Sequence, residues 1–169
     1  SRLSTGGKLI DRSLSKEFMF NGRRLKGFEG DTLASALLAN DQVMVGRSFK
    51  YHRPRGIVAS GSEEPNALME TGSGSKLEPN QRATTTKLFD SMRVKSQNHW
   101  PTLEFDLGAI NSTFSKFFPA GFYYKTFIHP RFAWKYLFEP IIRKAAGLGN
   151  APKEKDCDTY EYFYAHVDL

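Results

Sequence analysis

Apolar and polar positions alternate from Glu17 to Phe20 and return in a second short run from Arg24 to Lys26, with Asn21-Gly22 between them. That dipeptide tolerates the positive φ angles of a two-residue turn, so the pattern predicts a tight hairpin. The period then changes. Leu33, Ala34, Leu37 and Leu38 recur at helical spacing, which predicts a helix burying those four, with Asp31 as its cap and Asn40 as its stop. Ala67–Glu70 and Met92–Ser96 read as strands. TGSGSKLEPNQ, between the first of them and Arg82, is rich in turn residues and predicts a flexible turn. The intervening stretch, from Arg47 to Arg55 and onward, reads as loop.

Hairpin, core helix and later strands in this order predict an α+β chain whose first part is a β-grasp domain. From Asn98 onward the texture is different. NHWPTLEFD and FFPAGFYYKTFIHPRFAWKYLFEP crowd aromatics and prolines together without a regular period. Such a segment is either the aromatic core of the same domain or a docking arm laid over a neighbouring domain or subunit, and rings in excess of what one small core can hold favour the arm. Arg131 to Glu139 and Ile141 to Ala146 read as two helical pieces broken at Pro140, with Gly147 as the stop. Residues 151–158 are charged, as a linker is. The closing HVDL resembles the start of the first strand of a dinucleotide-binding unit. The expected organisation is a tail over residues 1–15, a β-grasp domain over 16–96, an irregular, aromatic-rich and partly helical connector over 97–165, and the first strand of a further domain at 166–169.

Composition narrows the function classes. A chain of 169 residues with 40% hydrophobic and 14% aromatic content suits one ordinary core with an extension. Its one cysteine, Cys157, excludes an internal disulfide and any zinc site built on several thiolates, and it suits a reducing, cytoplasmic setting. A formal net charge of +6 points to an acidic partner, be it nucleic acid, a membrane surface or an acidic protein subunit, and charge alone does not choose among them. Prolines and basic residues interrupt every apolar run, so no membrane-spanning helix is expected. Asp11 and the Gly6-Gly7 pair argue against a targeting helix at the start.

Candidate chemistry is sparse. Arg47, Lys50, His52, Arg53 and Arg55 fall within one segment, interleaved with Phe49 and Tyr51. Guanidinium forks match carboxylates and phosphates, so this segment is a candidate anion or subunit contact, against the alternatives of a solvated basic loop or a grip on single-stranded nucleic acid. His52, His99, His129 and His166 are too widely spaced for a metal pair and are read as packing or interface residues. Glu63 and Glu64 read as loop-organising groups, and Ser60 and Ser62 lack a nucleophile elbow. No catalytic, cofactor-binding or metal-binding residue is expected within this chain.

The words PRGIVASGSEEPNALMETG and RAT resemble the cluster loop of plant-type ferredoxin-like domains, which reads PRG-x-x-C-x4-C-x2-C and ends in RAC. Laid over that spacing, Ala59, Glu64, Ala67 and Thr84 stand where four thiolates bind iron, and they cannot replace them. Together with GDTLASALLAND, VGRSFKYHRPRGI, SQNHWPTLEFDLGAIN and FPAGFYYKTF, they make the chain similar to the N-terminal region of the alpha subunit in the heterotetrameric sarcosine oxidase family. That resemblance implies a cluster-less ferredoxin-like domain leading into an NAD-binding domain, with a folate-binding domain later in the subunit. It implies partners: the rest of the alpha subunit and beta, gamma and delta subunits, with FAD in beta, FMN between alpha and beta, and zinc in delta. The implied reaction of the whole complex is oxidative demethylation of sarcosine to glycine, with the one-carbon unit passed to tetrahydrofolate and oxygen reduced to hydrogen peroxide. A related amine or opine oxidoreductase subunit is the alternative, and a nucleic-acid-binding module is less favoured. Neither nucleic acid nor membrane is expected as a partner.

Overall fold

The computed structural model describes residues 2–117, 129–145, 147 and 149–164. The first hairpin joins β1 (Asp11–Phe20) to β2 (Arg23–Glu29), antiparallel and in register from Ser15↔Phe28 to Phe20↔Arg23. Asn21 (φ 48) and Gly22 (φ 82) form its turn, so the predicted hairpin is present and its strands are longer than the alternation alone marks. Asn21 does more than turn. Its backbone N–H donates to Val94 O, its Nδ2 to Ser96 Oγ, and its Oδ1 accepts the Ser96 N–H, fastening the turn to a distant strand.

Helix α1 (Leu33–Ala39) follows. Its cap is Thr32, whose Oγ1 accepts the Ser35 N–H while the Ser35 hydroxyl accepts the Thr32 N–H, a reciprocal pair that satisfies two end donors. Asp31, expected as the cap, is instead a buried junction: its carboxylate accepts the Phe28 N–H, the Ser35 hydroxyl and the Arg2 guanidinium. The buried face is Leu33, Ala34, Ala36 and Leu37. Leu38, expected inside, is 43% exposed, because one further step of about 100° carries it past the stripe. Asn40 ends the helix as expected. Gly30 (φ +87) precedes this corner, where an added Cβ would meet Leu9 O at 1.8 Å.

The main sheet has the order β2-β1-β7-β5-β6, with β5 at Leu68–Thr71, β6 at Glu78–Arg82 and β7 at Met92–Ser96. β1 and β7 run parallel; the other neighbours are antiparallel. Inward positions spaced by two, Phe18 and Phe20, Met92 and Val94, and Met69, line one face and meet Leu33, Leu37, Val45, Leu88 and Leu103 in a single core. This is the α+β, ferredoxin-like β-grasp architecture expected. β6 replaces part of the predicted flexible turn: it is an edge strand, where Pro79 removes no ladder donor that the sheet needs. A second, two-stranded sheet, β3 (Gly46–Arg47) with β4 (Pro54–Arg55), organises the stretch read as loop.

Beyond the sheet, Ile110–Thr113 is a short helix. Arg131–Ala133, a π-helical turn at Trp134–Phe138 and Glu139–Ala145 then follow one another as a continuous helical stretch. Pro140 does not break it as expected. The widened turn immediately before it is the kind of irregularity that accommodates a residue lacking its N–H. Gly147 (φ +65) follows that stretch, matching the expected stop. The FPAGFYYKTF segment and the closing HVDL lie outside the described residues.

Candidate functional site

The loop from β4 to β5 is organised around one carboxylate. Glu64 is fully buried; its Oε2 accepts the N–H groups of Val58 at 2.7 Å and Ala59 at 2.6 Å, and its Oε1 accepts that of Asn66 at 2.8 Å. Burial pushes the Glu64 carboxyl up, but the N–H groups of Ala59, Asn66, Val58 and Ala67 together outweigh it and hold the group below the usual carboxylate range. Around it, Asn66 Nδ2 donates to Gly56 O, and Glu63 accepts the Gly61 N–H. Both glutamates thus order the loop, as the sequence suggested.

The remaining expected cluster positions join the same unit. Thr84, buried, donates its hydroxyl to Gly61 O at 2.7 Å, and Ala67, buried in the core, accepts the Ala83 N–H at its carbonyl. The turn after β6 also receives helix α1, since the Leu33 and Ala34 N–H groups donate to Thr86 O and Ala83 O. Ala59, Glu64, Ala67 and Thr84 therefore lie in one hydrogen-bonded unit between β5, the β6 turn and α1. A two-iron cluster does not fit these residues: two methyl groups, a carboxylate saturated with backbone donors and a hydroxyl already bonded to a carbonyl replace the thiolates it needs. Among the described residues no group of three metal-ligand side chains comes together. Cys157 is exposed in the charged tail.

The basic segment divides. Arg47 turns inward with its side chain 7% exposed, donating to Leu103 O, His52 O and Glu104 O at 2.9 Å each, with Nε 3.6 Å from Asp106 Oδ2. It is a clamp on the 100–108 loop, whereas Lys50 and Arg53 stand over the Tyr51 ring at 5.0 and 4.8 Å, and Arg53 and Arg55 are exposed. His52 joins the clamp through Nδ1, 2.6 Å from Asp106 Oδ2.

Asp106 is the residue that sequence reasoning did not single out. Its Oδ1 accepts the N–H groups of Trp100 at 3.0 Å and Gly108 at 3.1 Å. Burial raises its pKa, and the Trp100 N–H, His52 and the Gly108 N–H more than offset this, leaving it low. The D-L-G triplet, an Asx-turn signal, was the available clue. Beside this clamp a cleft of about 730 Å³ is lined by His52, Ser96, His99, Trp100 and Asp106. His99 Nε2 lies 2.8 Å from Ser96 Oγ, and burial pushes the imidazole pKa down.

Comparison with known proteins gives these features a setting. Residues 16–99 match the family described as 2Fe-2S iron-sulfur cluster binding domain. The chain is 56% identical over 161 residues to the "Sarcosine oxidase subunit alpha" of Rhizobium meliloti (strain 1021), a match covering 95% of this chain and 16% of that protein. It is 39% identical over 97 residues to the "Sarcosine oxidase subunit alpha" of Corynebacterium sp. (strain U-96), covering 56% of this chain and 10% of that one. The chain thus spans a small part of the relatives it matches. Among solved structures, L-proline dehydrogenase from P. horikoshii aligns with a TM-score of 0.42 and 23% identity over 56% of this chain and 18% of that one, too loose a likeness to carry an argument.

Proposed function

Residues 16–99 belong to the 2Fe-2S iron-sulfur cluster binding domain family, in a chain homologous to sarcosine oxidase alpha subunits, and on that premise we propose that this region is a scaffold and docking part of such a subunit. It carries no electrons and performs no catalysis of its own. The observation that carries this reading is the state of the loop: the position of one expected thiolate holds a buried carboxylate committed to the backbone N–H groups of Val58, Ala59 and Asn66.

In this reading the reaction belongs to the parent complex, an oxidoreductase that demethylates sarcosine to glycine, passes the one-carbon unit to tetrahydrofolate and makes hydrogen peroxide. NAD, FAD, FMN, tetrahydrofolate and zinc are held by other parts of the alpha subunit and by beta, gamma and delta partners. Residues 16–96 form the domain, 97–165 the docking arm, and 166–169 the first strand of the dinucleotide-binding domain. Exposed rings favour the arm: Phe132, Tyr136, Tyr162, Phe163 and Tyr164 are each at least 73% exposed. Exposed Arg53 and Arg55 suit an acidic subunit face, while Arg47 and His52 serve the interior. No helix among the described residues is long and apolar enough to cross a membrane, and with its lone thiol we assign the complex to the cytoplasm.

The test is co-expression of the tagged chain, within its full subunit, with the candidate partner subunits. Flavin-bearing partners should copurify with it, and the product should turn over sarcosine. Iron held stoichiometrically by the purified subunit, or failure of any flavin protein to associate, overturns the reading.

A further inference from the structure

A loop that wraps a cluster directs backbone N–H groups at a negatively charged centre, and hydrogen bonds to its sulfurs help set the properties of that centre. Here N–H donors converge in a loop that has no thiolates. The Val58, Ala59 and Asn66 N–H groups converge from both limbs of the loop on the Glu64 carboxylate, all within 2.8 Å. We infer that Glu64 is an internal anion, a permanent ligand supplied by the chain itself, which occupies the negative centre of the degenerate cluster loop.

Three features support this assignment over an ordinary buried glutamate. A carboxylate moved out of water is costly unless its charge is met, and among the described residues it is backbone N–H dipoles that meet it. The donors flank the carboxylate on both sides, with Val58 and Ala59 on one oxygen and Asn66 on the other, so the loop closes around it. Thr84 and Ala67 complete the enclosure, one through the Gly61 carbonyl and the other through core burial. The site is therefore specific for a carboxylate-like monoanion. Glu64's role is read on the chain without partners, so its failure is separable from that of the docking proposal.

The experiment is anion rescue of Glu64→Ala. Removing the side chain leaves converging donors around a space of carboxylate size, and the variant should melt about 5 to 10 °C below the parent chain. Sodium formate at about 100 mM should recover at least half of that loss in excess of its effect on the parent chain, whereas formamide, its neutral isostere, should not. Glu64→Gln provides the control: it fills the space but faces donors with its own NH₂, so it should melt low and gain nothing from formate. Amide hydrogen exchange on the unaltered chain gives a reading that needs no variant. The Val58 and Ala59 N–H groups should exchange at rates close to those of the sheet core. Equal rescue by formate and formamide, no rescue at all, or loop-like exchange at Val58 and Ala59 overturns the inference.

Discussion

Glu64 and Ala59, two of the four positions where the spacing resemblance led thiolates to be expected, are bonded to each other: Glu64 Oε2 accepts the Ala59 N–H at 2.6 Å. Thr84, at a third, closes the same loop onto Gly61. A side chain already holding the backbone is not free for metal. The four positions therefore act as a matched set held together by internal hydrogen bonding and packing.

Anaerobic reconstitution with iron and sulfide should accordingly leave the chain colourless. Cysteine at all four positions, Ala59→Cys, Glu64→Cys, Ala67→Cys and Thr84→Cys together, should develop charge-transfer absorption, while the triple variant that keeps Glu64 should not. Absorption spectra with an iron assay measure this, and stoichiometric iron in the parent chain would sink the idea.

Acid should reveal Glu64 as well. Its folded pKa lies below its unfolded one, so its contribution to stability is complete above the ordinary glutamate value of about 4.3 and fades as pH falls through the lower folded value. The urea midpoint of the parent chain should drop more steeply below pH 4 than that of Glu64→Gln. Parallel curves would contradict the assignment.

Asp106 holds the 100–108 loop to the β3–β4 unit through His52, Trp100 and Gly108. Asp106→Ala strands those partners and should cost about 3 kcal/mol in urea unfolding, because donors left buried without an acceptor are expensive. Asp106→Asn keeps an oxygen for the two backbone donors and should cost about 1 kcal/mol. Equal costs would show that accepting the Trp100 and Gly108 N–H groups contributes nothing, and an Asp106→Asn variant as stable as the parent would show the same of the His52 contact.

Phe132 and Tyr136 are 73% and 74% exposed on the helical stretch. Changing both to serine should alter stability by no more than about 0.5 kcal/mol each, as expected of surface sites, while lowering hydrophobic-dye binding and weakening capture of partner subunits. A large loss of stability without change in dye binding would place these rings in a core instead.

The elements whose signals are local were legible. Asn21-Gly22 marks its hairpin because few residues accept positive φ at both positions, and Met92–Ser96 alternates cleanly because one face is buried. Ala59, Glu64, Ala67 and Thr84 drew notice through a spacing resemblance, and the hydrogen bonds that join them into one unit emerge only in the fold. β6 was hidden because Pro79 and Asn80 (φ 58) carry turn chemistry, which an edge strand tolerates. Leu38 was misread because a seven-residue helix gives its periodicity too few turns to distinguish the rim of the stripe from its centre.

Chain-local chemistry settles where this backbone turns, which face of a strand is apolar and that no four thiolates exist to hold iron. Folding alone decides the partners of its charges. Arg47 and Arg55 are the same residue type eight positions apart, yet one is locked against Leu103, Glu104 and Asp106 and the other is exposed. Glu63 and Glu64 are adjacent, yet one caps an exposed turn and the other is the buried centre of a loop. The reason is physical: a charge leaves water only where enough dipoles converge to replace it, and that convergence depends on residues the sequence keeps far apart.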